Sequence, residues 1–263
     1  MDIDSYSELK KLPTPIDYWQ MSARPLISLV FIAPMLVLYE VGVLCLGRGA
    51  PRNGADVWLR GFLDWIGFGQ YFLLPVLVCG VLLAWHYLRR DPWTIRRDVL
   101  GWMFVESLVF GWVLLLIAQL QGRLFAELGA TIPAEIAAAT GGRHGLFSRM
   151  IGYLGAGIYE ELLFRLMLLP VAIGAARACG LSIQNSVIAG IVFVSLLFSA
   201  AHYRFEISLG PWHFGSPIGD SWSLYSFTFR FLAGVFFAIL FQLRGFGIAA
   251  GSHALYDIAT ALF

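Results

Sequence analysis

The sequence predicts an all-α polytopic membrane protein with about seven transmembrane helices. Hydrophobic residues make up 59% of the 263 residues and charged residues 13%, far below the roughly 25% charge of a soluble domain. Seven apolar runs approach the ~20 residues a helix needs to cross a hydrocarbon core ~30 Å thick. Each run is continuous, whereas the strands of a membrane barrel would alternate in polarity over about 10 residues.

Taken in order, residues 1–24 carry Tyr18 and Trp19 ahead of Pro25, and are expected to lie as a helix or turn in the membrane interface, where aromatic rings prefer to sit. This stretch lacks the basic region, short apolar core and small-residue cleavage site of a signal peptide, so the first span is expected to be retained. The first three spans fall at roughly 25–46, 71–88 and 100–120. Residues 121–149, with Phe125, Leu128, Ile132 and Ile136, are expected to form a second interfacial helix. Two further spans cover 150–176 and 183–201. The linker 203–221, with Gly210, Trp212, His213, Gly215 and Pro217, is aromatic and turn-rich and follows His202 directly, so it can line the mouth of a site built there. The last two runs are 222–243 and 246–263; the latter is short and interrupted by Gly247, Gly251, Ser252 and His253, and either spans or re-enters. There is no internal repeat, and the chain reads as one integrated membrane domain with an N-terminal part, 1–149, and a C-terminal core, 150–263.

The formal charge of +1 offers no basic surface for nucleic acid. Cys45, Cys79 and Cys179 are far apart and match no zinc or disulfide spacing. Lys10, Lys11, Arg24, Arg89, Arg90, Arg96 and Arg97 favour a cytoplasmic N-terminus, against Arg48, Arg52, Arg60, Arg123, Arg143 and Arg149 on the other side. The expected location is the bacterial cytoplasmic membrane.

The informative residues are the polar ones inside the spans. Glu160, Glu161 and Arg165 lie in the run 150–176, where three charges facing lipid unpaired would cost on the order of 7 to 10 kcal/mol. They must therefore face protein, pair, or do chemistry. Glu161 and Arg165 are four apart, acid before base, and can form a clamp, which leaves Glu160 without an in-helix cation. A desolvated carboxylate beside another acid suits a general base. His253 and Asp257 are also four apart, so Asp257 can fix which imidazole nitrogen points into the bundle. Together Glu160, His202, His253 and Asp257 supply residue types that activate water for attack on an amide, and two histidines with a carboxylate are a normal zinc set. The soluble H-E-x-x-H zinc helix is absent. Glu40, Glu106 and Arg230 are also intramembrane, and pairing of either acid with Arg230 would satisfy the bundle without chemistry. His86, His144 and His213 read as interfacial.

The ordered set of Glu160, Glu161 and Arg165 (E-E-x-x-x-R), Phe198 and His202 (F-x-x-x-H), then His253 and Asp257 (H-x-x-x-N/D) resembles the CPBP family, which includes the type 2 CAAX prenyl proteases and bacteriocin-processing enzymes. The resemblance covers about 150–263, the core of the C-terminal four spans, and makes the first three spans an accessory addition. It implies an intramembrane endopeptidase acting on membrane-associated peptides or proteins. Glu160 and His202 would activate the water, His253 and Asp257 would hold the oxyanion or help bind metal, and Glu161 and Arg165 would support them. A divalent ion, zinc by donor type, could be held by His202, His253, Asp257 and Glu160. An ionised aspartate cannot donate to an oxyanion as asparagine can, so Asp257 favours orienting His253 or ligating metal. Two other classes fit the same residues: a non-catalytic binding or bacteriocin-immunity protein, and a proton-coupled transporter, the latter disfavoured by the missing repeat.

Overall fold

The structure, a computed structural model, describes residues 15–47, 50, 52–69, 71–129, 145–209, 212–216 and 219–262, with the backbone alone for 205–209 and 212–216. Helix α1 (Pro15–Ser22) is followed by α2 (Pro25–Leu46), α3 (Gly54–Trp65), α4 (Leu73–Arg89) and α5 (Arg97–Glu127). Then come α6 (Leu146–Glu160), a π-helical segment (Glu161–Leu168), α7 (Leu169–Ala178) and α8 (Ile183–Ala200). An antiparallel hairpin, β1 (Phe205–Leu209) with β2 (Trp212–Ser216), precedes α9 (Leu224–Arg244) and α10 (Phe246–Leu262).

The predicted bundle is present, and the sequence shows why its elements start where they do. Pro25 opens α2 at a position where its missing N–H costs nothing. The Asn53 side chain caps α3 by accepting from the Asp56 N–H at 2.7 Å, and Ser182 caps α8. By length and composition α2, α5, α8 and α9 can each cross a membrane, while α4 is apolar but shorter. The run 150–176 lies in a helical stretch broken by the π segment, and 246–263 is a 17-residue helix. All seven runs are thus largely helical, and among the described residues four helices meet the length and composition of a crossing. Large apolar side chains such as Val37, Leu44, Trp112, Leu120 and Phe193 are exposed, as suits lipid-facing surface. The chain is an integral membrane protein.

Helix α10 sits at the centre. Every residue from Phe246 to Ala254 is buried, and the helix packs against α2, α5, α6 and α9. The small residues that made this run look insecure as a span are the reason it can sit there, because they let neighbouring backbones approach. Gly157 of α6 meets the α10 backbone directly: a Cβ there would stand 2.7 Å from the Ala250 carbonyl oxygen and from Ala254 Cβ. Two apolar clusters flank this centre, one including Ile32, Tyr39, Leu74, Tyr159 and Phe198, the other Ile27, Val99, Met103, Phe237 and Ile248.

Several expectations change. Residues 15–22 form the expected N-terminal helix, but Phe125 lies within α5 and Leu128 directly after it, and Ile132 and Ile136 lie outside the described residues. The linker 203–221 holds a hairpin that its composition did not reveal. Arg230 pairs with neither glutamate. Glu40 meets Arg60 and Tyr159, Glu106 meets Arg244 and Tyr18, and Arg230 pairs with Asp220. Arg60, counted above among the charges between the first two spans, is mostly buried within α3. His86 is fully buried in the last turn of α4, edge-on to Trp93 at 4.6 Å. His144 and the side chain of His213 lie outside the described residues.

Replacing Gly157 by alanine should therefore lower thermal stability in detergent by about 1–3 kcal/mol, the usual cost of overpacking. Gly174→Ala, where nothing lies within 4 Å of the added methyl, should not.

Candidate functional site

The site is built where α6 gives way to the π segment. Within that segment the Leu169 N–H reaches the Phe164 carbonyl, five residues back. Pro170 supplies the physical reason: it has no N–H for the Leu166 carbonyl, and its ring crowds that carbonyl in a regular α turn. The wider turns begin at Glu161, between the two carboxylates, and the two then take different partners.

Glu161 is fully buried. Its Oε1 lies 3.2 Å from Arg165 Nη1 and accepts from His253 Nδ1 at 2.8 Å. Arg165, also fully buried, donates from Nη2 to the Gly234 carbonyl on α9 at 3.2 Å and lies 4.3 Å above the Phe198 ring. The expected clamp is present, extended to a third helix. The expectation that Asp257 fixes the His253 ring is corrected: Glu161 holds Nδ1, and Asp257 Oδ2 stands 3.7 Å from Nε2. The π segment brings Glu161 onto α10, and the shorter contact fixes the ring. Phe237 stacks on that ring at 4.5 Å with planes 14° apart.

His202 is set by the end of α8. Its Nδ1 donates to the Phe198 carbonyl at 2.7 Å, satisfying one of the acceptors a helix leaves at its C-terminus. In the neutral ring Nε2 is then the acceptor nitrogen. On the other side, the His202 carbonyl accepts from the Asp220 N–H at 2.9 Å. Gly219 allows that close return: its φ is +140°, and a Cβ there would stand 2.8 Å from the His202 oxygen. Asp220 is itself tied to Arg230 of α9.

Glu160 faces these groups. Its Oε2 is 3.8 Å from His202 Nε2 and 3.8 Å from His253 Nε2. Those separations are too long for direct hydrogen bonds and leave a gap of the size a water bridges. All four residues, Glu160, His202, His253 and Asp257, line one cavity of about 580 Å³, together with Asp220 and Arg230. A smaller cavity of about 300 Å³ reaches Glu160 and His202 from the α3 side through Asn53 and Trp58. It shares Trp58, Phe164 and Ala201 with an apolar cavity of about 940 Å³ between α3, the π segment and α8. A carboxylate and two imidazoles around a water-sized gap can move a proton and hold a developing negative charge.

The donor types suit zinc, and Glu160, His202, His253 and Asp257 are the residues that would supply them. As arranged, however, no group of three or more His, Cys, Asp or Glu side chains among the described residues is placed to hold a metal ion. Sequence reasoning placed the four polar residues on three spans and missed Phe237, the Asp220–Arg230 pair and the π segment. Only Pro170 carried a signal for the last.

Arg165→Ala should leave the Glu161 charge buried with His253 as its one remaining partner, at a cost of about 3–5 kcal/mol in detergent thermal unfolding. Arg165→Lys keeps the charge without the planar fork and should fall between wild type and alanine.

Residues 143–259 match the family model described as Rce1-like, type II CAAX prenyl endopeptidase Rce1-like. No curated protein and no solved structure matches the chain. The matched segment contains Glu160, Glu161, Arg165, His202, His253 and Asp257. Similarity to that family over this segment points to peptidase activity, membrane association and peptide substrates. Residues 143–259 are thus similar to the type II CAAX prenyl endopeptidases, the family that the motif set resembles.

Proposed function

We propose that the protein is an intramembrane endopeptidase in which Glu160 is the general base. The observation that carries this reading is the placement of Glu160 Oε2 3.8 Å from both imidazole Nε2 atoms in one cavity. A water in that gap donates one hydrogen to Glu160 and the other to His202 Nε2. Glu160 takes the proton as the water oxygen bonds to the scissile carbonyl carbon. His253 in its protonated form donates from Nε2 to the resulting oxyanion, with its ring held by Glu161 and Phe237. Glu160 then returns the proton to the departing nitrogen as the C–N bond breaks, giving a carboxylic acid and an amine, which then exchange a proton to become carboxylate and ammonium. Asp257, facing the same Nε2, balances the charge of the imidazolium.

The accessory part, 1–149, supplies Asn53 and Trp58 to the approach from α3, and the apolar cavity beyond it can take an apolar stretch of a membrane-embedded substrate. The donor types of these residues suit a divalent ion, zinc above all, though no three of them among the described residues are placed to hold one as arranged; a bound ion would polarise the scissile carbonyl. Metal analysis with chelation decides it: cleavage lost on chelation and restored by zinc establishes the ion, and undiminished cleavage dismisses it.

Comparison of membrane peptides from cells carrying wild-type and Glu160→Gln protein tests the reading. Substrates should accumulate uncleaved in the variant, with the cleavage rate down by about 10²–10⁴-fold, the usual weight of a general base. Wild-type cleavage in Glu160→Gln would remove the mechanism, and no cleavage by either protein with a retained immunity phenotype would select the binding-protein reading.

A further inference from the structure

A second buried polar network ends on the residue next to Glu160. Tyr159 donates to Glu40 Oε1 at 2.5 Å. Arg60 Nη2 reaches both oxygens of Glu40 at 3.1 and 3.4 Å, and its Nε donates to Asp56 Oδ1 at 2.7 Å. Asp56 is fully buried and also accepts from Tyr39 at 3.0 Å and from Arg52 at 3.1 Å. The Tyr39 and Tyr159 rings meet edge to face at 5.5 Å. Apart from Tyr159, every member comes from α2, α3 or the turn before α3, ahead of the family-matched segment.

The place where this network ends gives it a consequence beyond stability. A π segment is a local widening of the helical ladder, so the point at which it begins sets which way the side chains on either side of it face. Here the boundary falls between Glu160 and Glu161. Moving it by one residue would rotate both carboxylates relative to groups held by α8, α9 and α10. On the C-terminal side the anchors are Glu161 on His253 and Arg165 on the Gly234 carbonyl. On the N-terminal side, the side-chain bond nearest the boundary is Tyr159 to Glu40, and Arg60 and Asp56 hold Glu40 in place. We propose that the Tyr159–Glu40–Arg60–Asp56 network is a positioning device that sets the start of the π segment, so that Glu160 faces the cavity and Glu161 the buried ion pair. Tyr159 and Glu40 are positioning residues, and the accessory helices are then part of the site's construction. The kinetic part of this inference rests on the proposed role of Glu160; the structural part does not.

The test is labelling of membranes with dicyclohexylcarbodiimide, an apolar carboxyl reagent, with the modified glutamate located by mass spectrometry. In wild type the label should fall on Glu160, because Glu161 is enclosed. In Tyr159→Phe, Glu161 should become labelled to an extent comparable with Glu160. On a peptide that accumulates in Glu160→Gln cells, the same variant should lose about tenfold in kcat with KM within about twofold, as expected for a misplaced catalytic group. Glu40→Gln still offers Tyr159 an acceptor but loses the charge pair with Arg60, so it should show a smaller change of the same kind, and it carries the test if Tyr159→Phe does not accumulate. Folded variants that lose thermal stability while keeping the label on Glu160 and a wild-type kcat would overturn the proposal. Retained cleavage in Glu160→Gln would instead overturn the assignment of the base, while the labelling pattern would still decide the register.

Discussion

A charge inside a membrane protein is tolerable only when its partners are arranged around it, and here that constraint falls most heavily on Glu161. One carboxylate oxygen takes both the Arg165 guanidinium and the His253 ring. Losing either partner would leave charge in a place from which water and lipid are both excluded. The same contact joins the π segment to α10, and Arg165 continues it to α9 through the Gly234 carbonyl. Three helices are thus tied at one buried point. Because Glu161 turns to Arg165 and His253, its neighbour Glu160 is left to face the cavity with no partner closer than 3.8 Å among the two imidazoles.

The remaining buried charges follow the same logic away from the cavity. Glu106 is enclosed by Arg244, itself stacked 4.1 Å over Trp19, which fixes α1 against α5 and α9. Glu40 and Asp56 share Arg60, which fixes α3 against α2 and α6. In each case an arginine is the hub, since its fork can serve two acceptors and its face can lie on an aromatic ring. The bundle is therefore held by apolar packing that sets the shape and by a few polar ties that set the register.

How much of this could be read from the sequence depended on distance along the chain. Glu161 with Arg165 and Phe198 with His202 are local pairs, so helical spacing alone placed them. The meeting of Glu160, His202 and His253 was legible because so few polar residues lie in the spans that convergence was the natural way to shelter them. Partner choice across helices was not legible. Glu40 could have met Arg230, and it meets Arg60 because α3, a short helix of 12 residues hidden between two spans, lies against α2 and α6. Likewise Asp257 looked like the partner of His253 from spacing, and the π segment gave that place to Glu161. The hairpin at 205–216 left no trace in composition, since its strands are short and rich in the same aromatic and small residues as a loop.

Ionisable side chains from α6, α8 and α10 line one cavity within the bundle, and the proposed chemistry requires water to reach it. The most direct measurement is the reactivity of Thr260→Cys, on the cavity wall, toward a membrane-impermeant thiol reagent in vesicles where Cys45, Cys79 and Cys179 have been replaced. Val37→Cys, on the outer face of α2 and 60% exposed in the absence of lipid, serves as the reference. Rapid modification is expected at position 260 and none at position 37. Protection of position 260 from both sides of the membrane would contradict the proposed chemistry.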